Sequence, residues 1–492
     1  MKTRMLLPLF IMACFLHPLP VRGRPVAGLT LTVNAEFDDW QAHDASPGDG
    51  ICADSTGMCT LRAAIEEANA LTGAEVITFS SEMTILISTT EGALPALTDS
   101  VRIDASSVWN LTDDVPGVTI RGRGASINGF TIEALYCRIY GLHITEFGLN
   151  AVRVESGNSF IGGPGVGEGN VLSGNDASGV SVIGEWAQNA KIQGNIIGLS
   201  PAGDQKDPNG LYGVYVGAGA ANTLIGGDTW AAGNIISGNG EGAGGDIGVY
   251  ITDADTRNTQ LSANVIGLAA NGVTELGNAG FGVAVVFGAG PTVIGGSSLL
   301  ANTIAGNGDS GVFVGYGASD TSIQGNAISD NGGHGIWILE GRDSEIIFNI
   351  IAANTKDGVR VQGTGATGNL ISGNQIHGNS QKGIELLDGG NGELAAPAVT
   401  QAAAGGAAGK ATGGARFVTI YSDDGDEGNV YHGIAIVDLA TRNWVFSGAI
   451  TGPNVTALAH DIDGNTSEFS QPLPVGTTLT PRAFVPFLAG AY

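Results

Sequence analysis

The chain has 492 residues, of which 80 glycines and 17 prolines make up about a fifth; collagen would need glycine at every third position, and low-complexity disorder roughly 25–30% of such residues. A hydrophobic fraction of 43% against 14% charged residues gives a chain able to bury a large core. With 21 Lys and Arg against 47 Asp and Glu, the net charge of −26 repels phosphate backbones and anionic membranes, which argues against nucleic acid as a partner.

Met-Lys-Thr-Arg followed by LLPLFIMACFLHPLP has the basic start and short apolar run of a secretory leader, expected to be cleaved after Gly23 or Gly28. The run is shorter than the roughly 20 apolar residues of a membrane span and is broken by prolines. No transmembrane segment is therefore expected in the mature chain, which would carry about −30 once residues 1–28 are gone. In an exported protein Cys52 and Cys59, close together on a loop rich in Gly and Asp, are the expected disulfide, and Cys137, in an apolar run, a buried thiol. Thr60 is placed to cap a helix near residues 60–70 whose Leu61, Ile65 and Ala68 share one face. That helix would cover an open end of the fold, with VITF and TILI behind it as the first strands, in a cap segment of residues 29–100.

From about Asn158 to Asp388 one phrase recurs: Ile-x-Gly-Asn, then Asn-x-Ile-x-x-Asn, then Gly-Val-x-Val. The glycine of the last part falls at Gly179, Gly213, Gly248, Gly282, Gly311, Gly335, Gly358 and Gly383, at spacings of 34, 35, 34, 29, 24, 23 and 25. Each unit holds short apolar strands divided by Gly/Asn turns and cannot bury a core alone, so it must stack on its copies. Asn170, Asn195, Asn234, Asn264, Asn302, Asn326, Asn349 and Asn374 fill one slot; Asn175, Asn239, Asn307, Asn331, Asn354 and Asn379 fill another five residues on. Amides in register can bond from rung to rung, and as simple turn residues they would give the same fold, a parallel β-solenoid over residues 101–395.

The phrases GNIIGL, NTLIGG, GNIISGN and GVYV resemble the right-handed parallel β-helix repeats of the pectate-lyase-like superfamily. Upstream, GDGICADSTGMCTLRAAIEEANALTGAEVITFS is similar to the Cys-Ser-Leu-Arg-Glu-Ala-type segment that opens many secreted β-helix proteins, with Thr60 in place of Ser and Ala63 in place of Glu. The resemblance spans roughly residues 30–390 and implies the fold; the superfamily includes lyases, hydrolases, epimerases and adhesins, so it leaves function open.

Strand alternation points the variable residue of Gly-Val-x-Val outward, giving the column Ser181, Tyr215, Tyr250, Ala284, Phe313, Trp337, Arg360, Glu385. Tyr215, Tyr250, Phe313 and Trp337 would line up as stacking faces for an extracellular polysaccharide or cell-surface glycan. The competing reading is that insertions such as SPAGDQKDPNGLYG and AANGVTELGNAGFG fold back and cover the rings. Beyond them Arg360 and Glu385 are flanked by His334, Asp357 and Lys382, the slot before the recurrent glycine. Polyuronate lyases of the resembled superfamily use Arg or Lys as the proton-abstracting base, and hydrolases use paired carboxylates, so these five are the catalytic candidates; a surface ladder of opposite charges is the alternative. Ser310, in a Gly-Asp-Ser-Gly reminiscent of serine proteases, sits in the same slot and is explained by the repeat; no His/Cys cluster has zinc spacing.

After an Ala/Gly-rich stretch at about 391–410, read as a linker or last rung, RFVTIYS, GIAIVDL, NWVFSGA and VTALAHD are strands of a small β-sandwich, placed at residues 396–476. DIDGNTSEFS resembles the closing hairpin of Ig-like modules that follow such β-helices, and would close the far end of the solenoid. Asp461, Asp463, Asn465 and Glu468 make a candidate calcium loop, although the glycine and glutamate are misplaced for an EF-hand and a hairpin turn accounts for them equally. A tail, residues 477–492, is too short to span a membrane. The expected protein is a secreted or cell-surface monomer that binds polysaccharide without catalysis; a polysaccharide lyase, epimerase or glycoside hydrolase is the alternative, and a structural spacer a third.

Overall fold

The computed structural model describes residues 27–240, 245–296 and 300–476, so nearly all of the expected leader and the tail lie outside it. Among the described residues no helix is long and apolar enough to cross a membrane. Three parallel sheets of twelve, eleven and ten strands run the length of the solenoid. Each turn of chain contributes one strand to each, as in Leu224–Gly226, Ile235–Ile236 and Ile247–Ile251.

The strands are only two to six residues long in the repeats because each needs to aim just one or two side chains inward. Ile225, Leu261, Ile294, Ile323 and Ile346 stack in the first sheet and Ile236, Ile266, Ile304, Ile328 and Ile351 in the second, all fully buried. Each such side chain contributes about 1.5–3 kcal/mol on leaving water. The recurrent glycine marks where neighbouring rungs approach most closely: a Cβ on Gly335 would lie 2.4 Å from Ile351 Cγ2 and 2.6 Å from Gly358 O.

Two asparagine ladders hold the turns. In the first, each Nδ2 donates to the Oδ1 of the next, as from Asn302 to Asn326 at 2.9 Å and on to Asn349 at 3.0 Å. The second runs Asn175, Asn209, Asn239, Asn278, Asn307, Asn331, Asn354, Asn379, with Nδ2 to Oδ1 distances of 2.9–3.0 Å. Asn209 and Asn278 fill rungs that the fixed five-residue interval leaves vacant: each follows a long insertion and stands fourteen residues after its first-ladder partner.

The helix forms at Leu61–Ala70, with Thr60 Oγ1 accepting the N–H of Ala63, and its Leu61, Ile65 and Ala68 join the main core. Arg62 reaches back in a buried fork to Asp38 (2.6 and 2.9 Å) and donates to Ala93 O, tying the preceding loop and residues 88–93 to the helix. Cys52 and Cys59 are bonded, and Cys137 is a buried free thiol. The first strand differs from expectation: Ala27–Val33 precedes the helix and pairs with Ala74–Phe79, so the cap segment is threaded into the first rung.

The C-terminal module is a sandwich of two antiparallel sheets. One holds Phe417–Asp423, Val430–Ile436, Asn454–His460 and Leu473–Pro474; the other holds Ala398–Ala403, Gly406–Lys410 and Asn443–Ser447. The Ala/Gly stretch read as a linker is therefore largely a hairpin. Its small residues are demanded by packing, since a Cβ on Gly409 would lie 2.6 Å from the buried Trp444 ring. The module seats on the last rung. Ile371 N–H donates to Thr466 Oγ1 (2.9 Å), Gly373 N–H to Tyr421 Oη (2.8 Å), and Leu386 N–H to Glu468 Oε1 (3.1 Å), while Ile376 and Gly428 exchange a backbone pair (3.0 Å). One open edge from each sheet is thus supplied with partners.

Candidate functional site

The outer face of the third sheet carries the groups singled out in the sequence. Its register runs Ser181, Tyr215, Tyr250, Ala284, Phe313, Trp337, Arg360, Glu385, each the Cα partner of the next. The rings are not a row of free faces. Tyr212, at the end of one long insertion, stacks on Tyr250 at 4.7 Å between centroids, and Phe281, at the end of the other, stacks on Phe313 at 4.7 Å. Phe313 is consequently 3% exposed and makes an edge contact with Trp337 at 5.1 Å. Tyr215, Tyr250 and Trp337 are half-buried. Burial pushes the hydroxyls of Tyr212, Tyr215 and Tyr250 above the usual tyrosine range, so all three remain neutral donors.

Tyr212 and Phe281 were not singled out in the sequence, though they stand in the slot before the glycine that elsewhere holds Ser178, His334, Asp357 and Lys382. Phe287 and Tyr316, stacked at 5.1 Å, stand two residues beyond the Val-x-Val segments, in a turn position that the strand period does not mark. Together these make eight rings on five successive rungs.

The charged residues do come together, as ion pairs in which Asp357 Oδ2 and Arg360 Nε are buried without a hydrogen-bond partner. His334 and Asp357 are buried (2% and 1% exposed), with His334 Nδ1 3.0 Å from Asp357 Oδ2. Asp357 Oδ1 accepts the N–H of Lys382 at 3.0 Å. Burial alone would raise the Asp357 carboxyl; the His334 ring and the bond from the Lys382 N–H, with the nearby Arg360 charge, outweigh it and hold it below the usual carboxylate range. Arg360 lies 3.6 Å from Glu385 and 4.0 Å from Asp357, and Lys382 Nζ lies 2.9 Å from Glu468 and 3.8 Å from Glu385. The Glu468 bond raises the Lys382 ammonium above its ordinary range, away from that of a neutral base. A lyase base must be deprotonated and face the sugar; here the Lys382 ammonium is held charged and the imidazole is enclosed.

In the C-terminal turn Asp461 Oδ1 accepts the N–H groups of Asp463 and Asn465, both at 2.9 Å, and its Oδ2 accepts Asn465 Nδ2 at 2.8 Å. Asn465 Oδ1 accepts Gly368 N–H from the solenoid, and Glu468 is turned to Lys382. Of the candidate calcium ligands, the side chains of Asp461, Asn465 and Glu468 are thus engaged in turn and docking bonds. Among the described residues no three His, Cys, Asp or Glu side chains gather as a metal-binding group.

A family model described as "Right handed beta helix region" matches residues 276–396. The solenoid is a right-handed parallel β-helix. Among solved structures, this β-helix is similar to the A-module of the mannuronan C-5 epimerase AlgE6 of Azotobacter vinelandii, at 13% identity over 74% of this chain and 90% of that one, with a TM-score of 0.45. It is also similar to the surface protein and adhesin PfbA of Streptococcus pneumoniae, at 11% identity over 70% of this chain and 98% of that one, with a TM-score of 0.34. No curated protein matches this β-helix by sequence. At these identities and scores neither likeness assigns it an activity.

Proposed function

We propose that this protein is an extracellular, non-catalytic β-helix that binds polysaccharide through the aromatic face of its third sheet. The observation that carries the reading is the gathering of Tyr212, Tyr215, Tyr250, Phe281, Phe287, Phe313, Tyr316 and Trp337 on five successive rungs of a chain that is only 6% aromatic. Half-buried Tyr rings fixed by stacked neighbours present C–H-binding faces beside polar tips at little entropic cost, which suits a pyranose, and Trp337 adds ring surface with its Nε1 buried. The engagement of Arg360, Lys382, Asp357, Glu385 and His334 in mutual ion pairs supports a role without catalysis. The basic and apolar leader and the Cys52–Cys59 bond support export.

A glycan array, with reducing-end and unsaturated-product assays on every hit, tests the reading. Binding without product is expected, with Tyr250→Ala weakening it by about 1–3 kcal/mol through lost stacking area. Turnover that disappears in Arg360→Ala or Lys382→Ala would replace this reading with a lyase, epimerase or hydrolase, and an array with no hits would end it.

A further inference from the structure

The turn that follows each third-sheet strand forms a second column, at the edge where the third sheet passes to the first. Its left-handed position is held by Ala218, Asp253, Phe287, Tyr316 and Glu340, at φ of 51, 77, 52, 53 and 56°. Asp suits such backbone and bulky side chains do not, because their Cβ crowds the carbonyl. Phe287 and Tyr316 nevertheless occupy it and remain 54% and 51% exposed. Folding therefore gains little from two strained rings, and strain retained without burial points to a use outside the fold. The same edge holds a second feature nearer the N-terminus. There Trp186, 75% exposed, walls a concavity of about 480 Å³ with Leu135, Glu133, Glu155 and Ser156.

Trp186 and Phe287 lie three rungs apart, or about 14 Å at the usual strand spacing, and only the small turn residues Ala218 and Asp253 intervene. Each rung is close to the length of one hexopyranose residue. Charge limits the occupant: Glu133, Glu155, Asp253 and Glu340 line this edge on a protein of net charge −26, and among the described residues only Glu155 of the four is in a salt bridge, with Arg153. Carboxylates accept hydrogen bonds from sugar hydroxyls and repel uronates and sulfates.

We propose that this turn edge is a linear track for a neutral glycan running parallel to the solenoid axis, seated in the Trp186 concavity at one end and on the Phe287–Tyr316 pair at the other. The proposal rests on the polysaccharide-binding reading and adds the path, the length and the charge class of the ligand.

Isothermal titration of the full mature chain with neutral β-linked gluco-, xylo- and mannooligosaccharides of two to six residues, and with oligogalacturonates and oligoalginates, tests it. One neutral series should bind, with the hexasaccharide at least about 100-fold tighter than the disaccharide because only the longer chain spans both ends. Oligouronates should not compete. Trp186→Ala and Phe287→Gly should each weaken the hexasaccharide about tenfold or more. Their melting midpoints should be no lower than that of the parent, since one side chain is exposed and the other relieves a left-handed bulky residue. Trp186→Phe should restore part of the loss. Equal affinities for short and long oligomers, preference for uronates, or full hexasaccharide affinity in both variants would overturn the track. If Tyr250→Ala still weakened binding in that case, the polysaccharide reading would stand alone; no binding by the parent to any series would remove both.

Discussion

Asn278 offers the sharpest test of what holds the rungs together, because it lies in mid-ladder at a position the repeat interval does not reveal. Its Oδ1 accepts both the backbone N–H of Asn239 (3.1 Å) and Asn239 Nδ2 (2.9 Å), while its own Nδ2 donates to Ile236 O (3.0 Å) and to Asn307 Oδ1 (2.9 Å). Replacement by Ala leaves the losses unequal. Ile236 O still accepts Gly267 N–H, and Asn239 Nδ2 still reaches Ile197 O and Ser237 O. The N–H of Asn239, fully buried, is left without an acceptor. That orphan costs about 1–3 kcal/mol, and each of the three lost side-chain bonds about 0.5–1.5 kcal/mol, so Asn278→Ala should destabilise by about 2.5–7.5 kcal/mol. Asn278→Asp keeps the acceptors but turns a carboxylate toward Ile236 O and Asn307 Oδ1, and should cost more. Denaturant unfolding gives the total, and hydrogen exchange at the Asn239 amide locates it. An unchanged midpoint together with unchanged protection of that amide would refute the ladder as a source of stability.

Tyr421→Phe removes the buried bond from Gly373 N–H and should cost about 1–2 kcal/mol, whereas Glu468→Gln, at the more exposed Lys382 pair, should cost less than about 1 kcal/mol; chemical unfolding of both variants ranks them. Burial lowers the His460 imidazole from 6.5 to about 4 against the pull of Asp461. The unfolded state therefore takes up the proton first, and stability should fall by about 3 kcal/mol as pH drops from 6.5 to 4; His460→Gln should flatten that part of a melting curve measured against pH. Chelation should leave the melting midpoint unchanged, since the Asp461 oxygens already hold Asp463 and Asn465; a rise with added calcium would show that the turn opens to a metal.

Most of the architecture was legible because a stacked fold must repeat its chemistry: the recurrent glycine, the first asparagine ladder and the Thr60 cap all stand where local rules put them. Asn209 and Asn278 were hidden because insertions change the interval in sequence without changing the rung. The strand at 398–403 and its partner were hidden because Ala and Gly carry no strand signal, and the close approach of the Trp444 ring and of the Ala398 and Phe446 carbonyls explains why Gly409 and Gly406 admit nothing larger. The site was read less well. Outward alternation correctly aligned Tyr215, Tyr250, Phe313 and Trp337, and the competing reading, that the long insertions fold back over the rings, holds for Phe313 under Phe281; which ring would be covered depends on contacts between rungs that alternation does not carry. Pairing of His334 with Asp357 depends in the same way on contacts between rungs that no single repeat contains.

The seat of the C-terminal module has a consequence for the species in solution. The edges of a parallel solenoid are self-complementary: the N–H and C=O groups that Thr466, Tyr421, Gly428 and Glu468 occupy are those to which one more rung, from this chain or another, would bond. The module thus works as a terminator of polymerisation, as the helix at Leu61–Ala70 does at the opposite end. A chain cut after the last rung would keep its whole solenoid and open one edge only; with the helix still closing the other end, two such chains would meet edge to edge and stop at a dimer, which the isolated module would block.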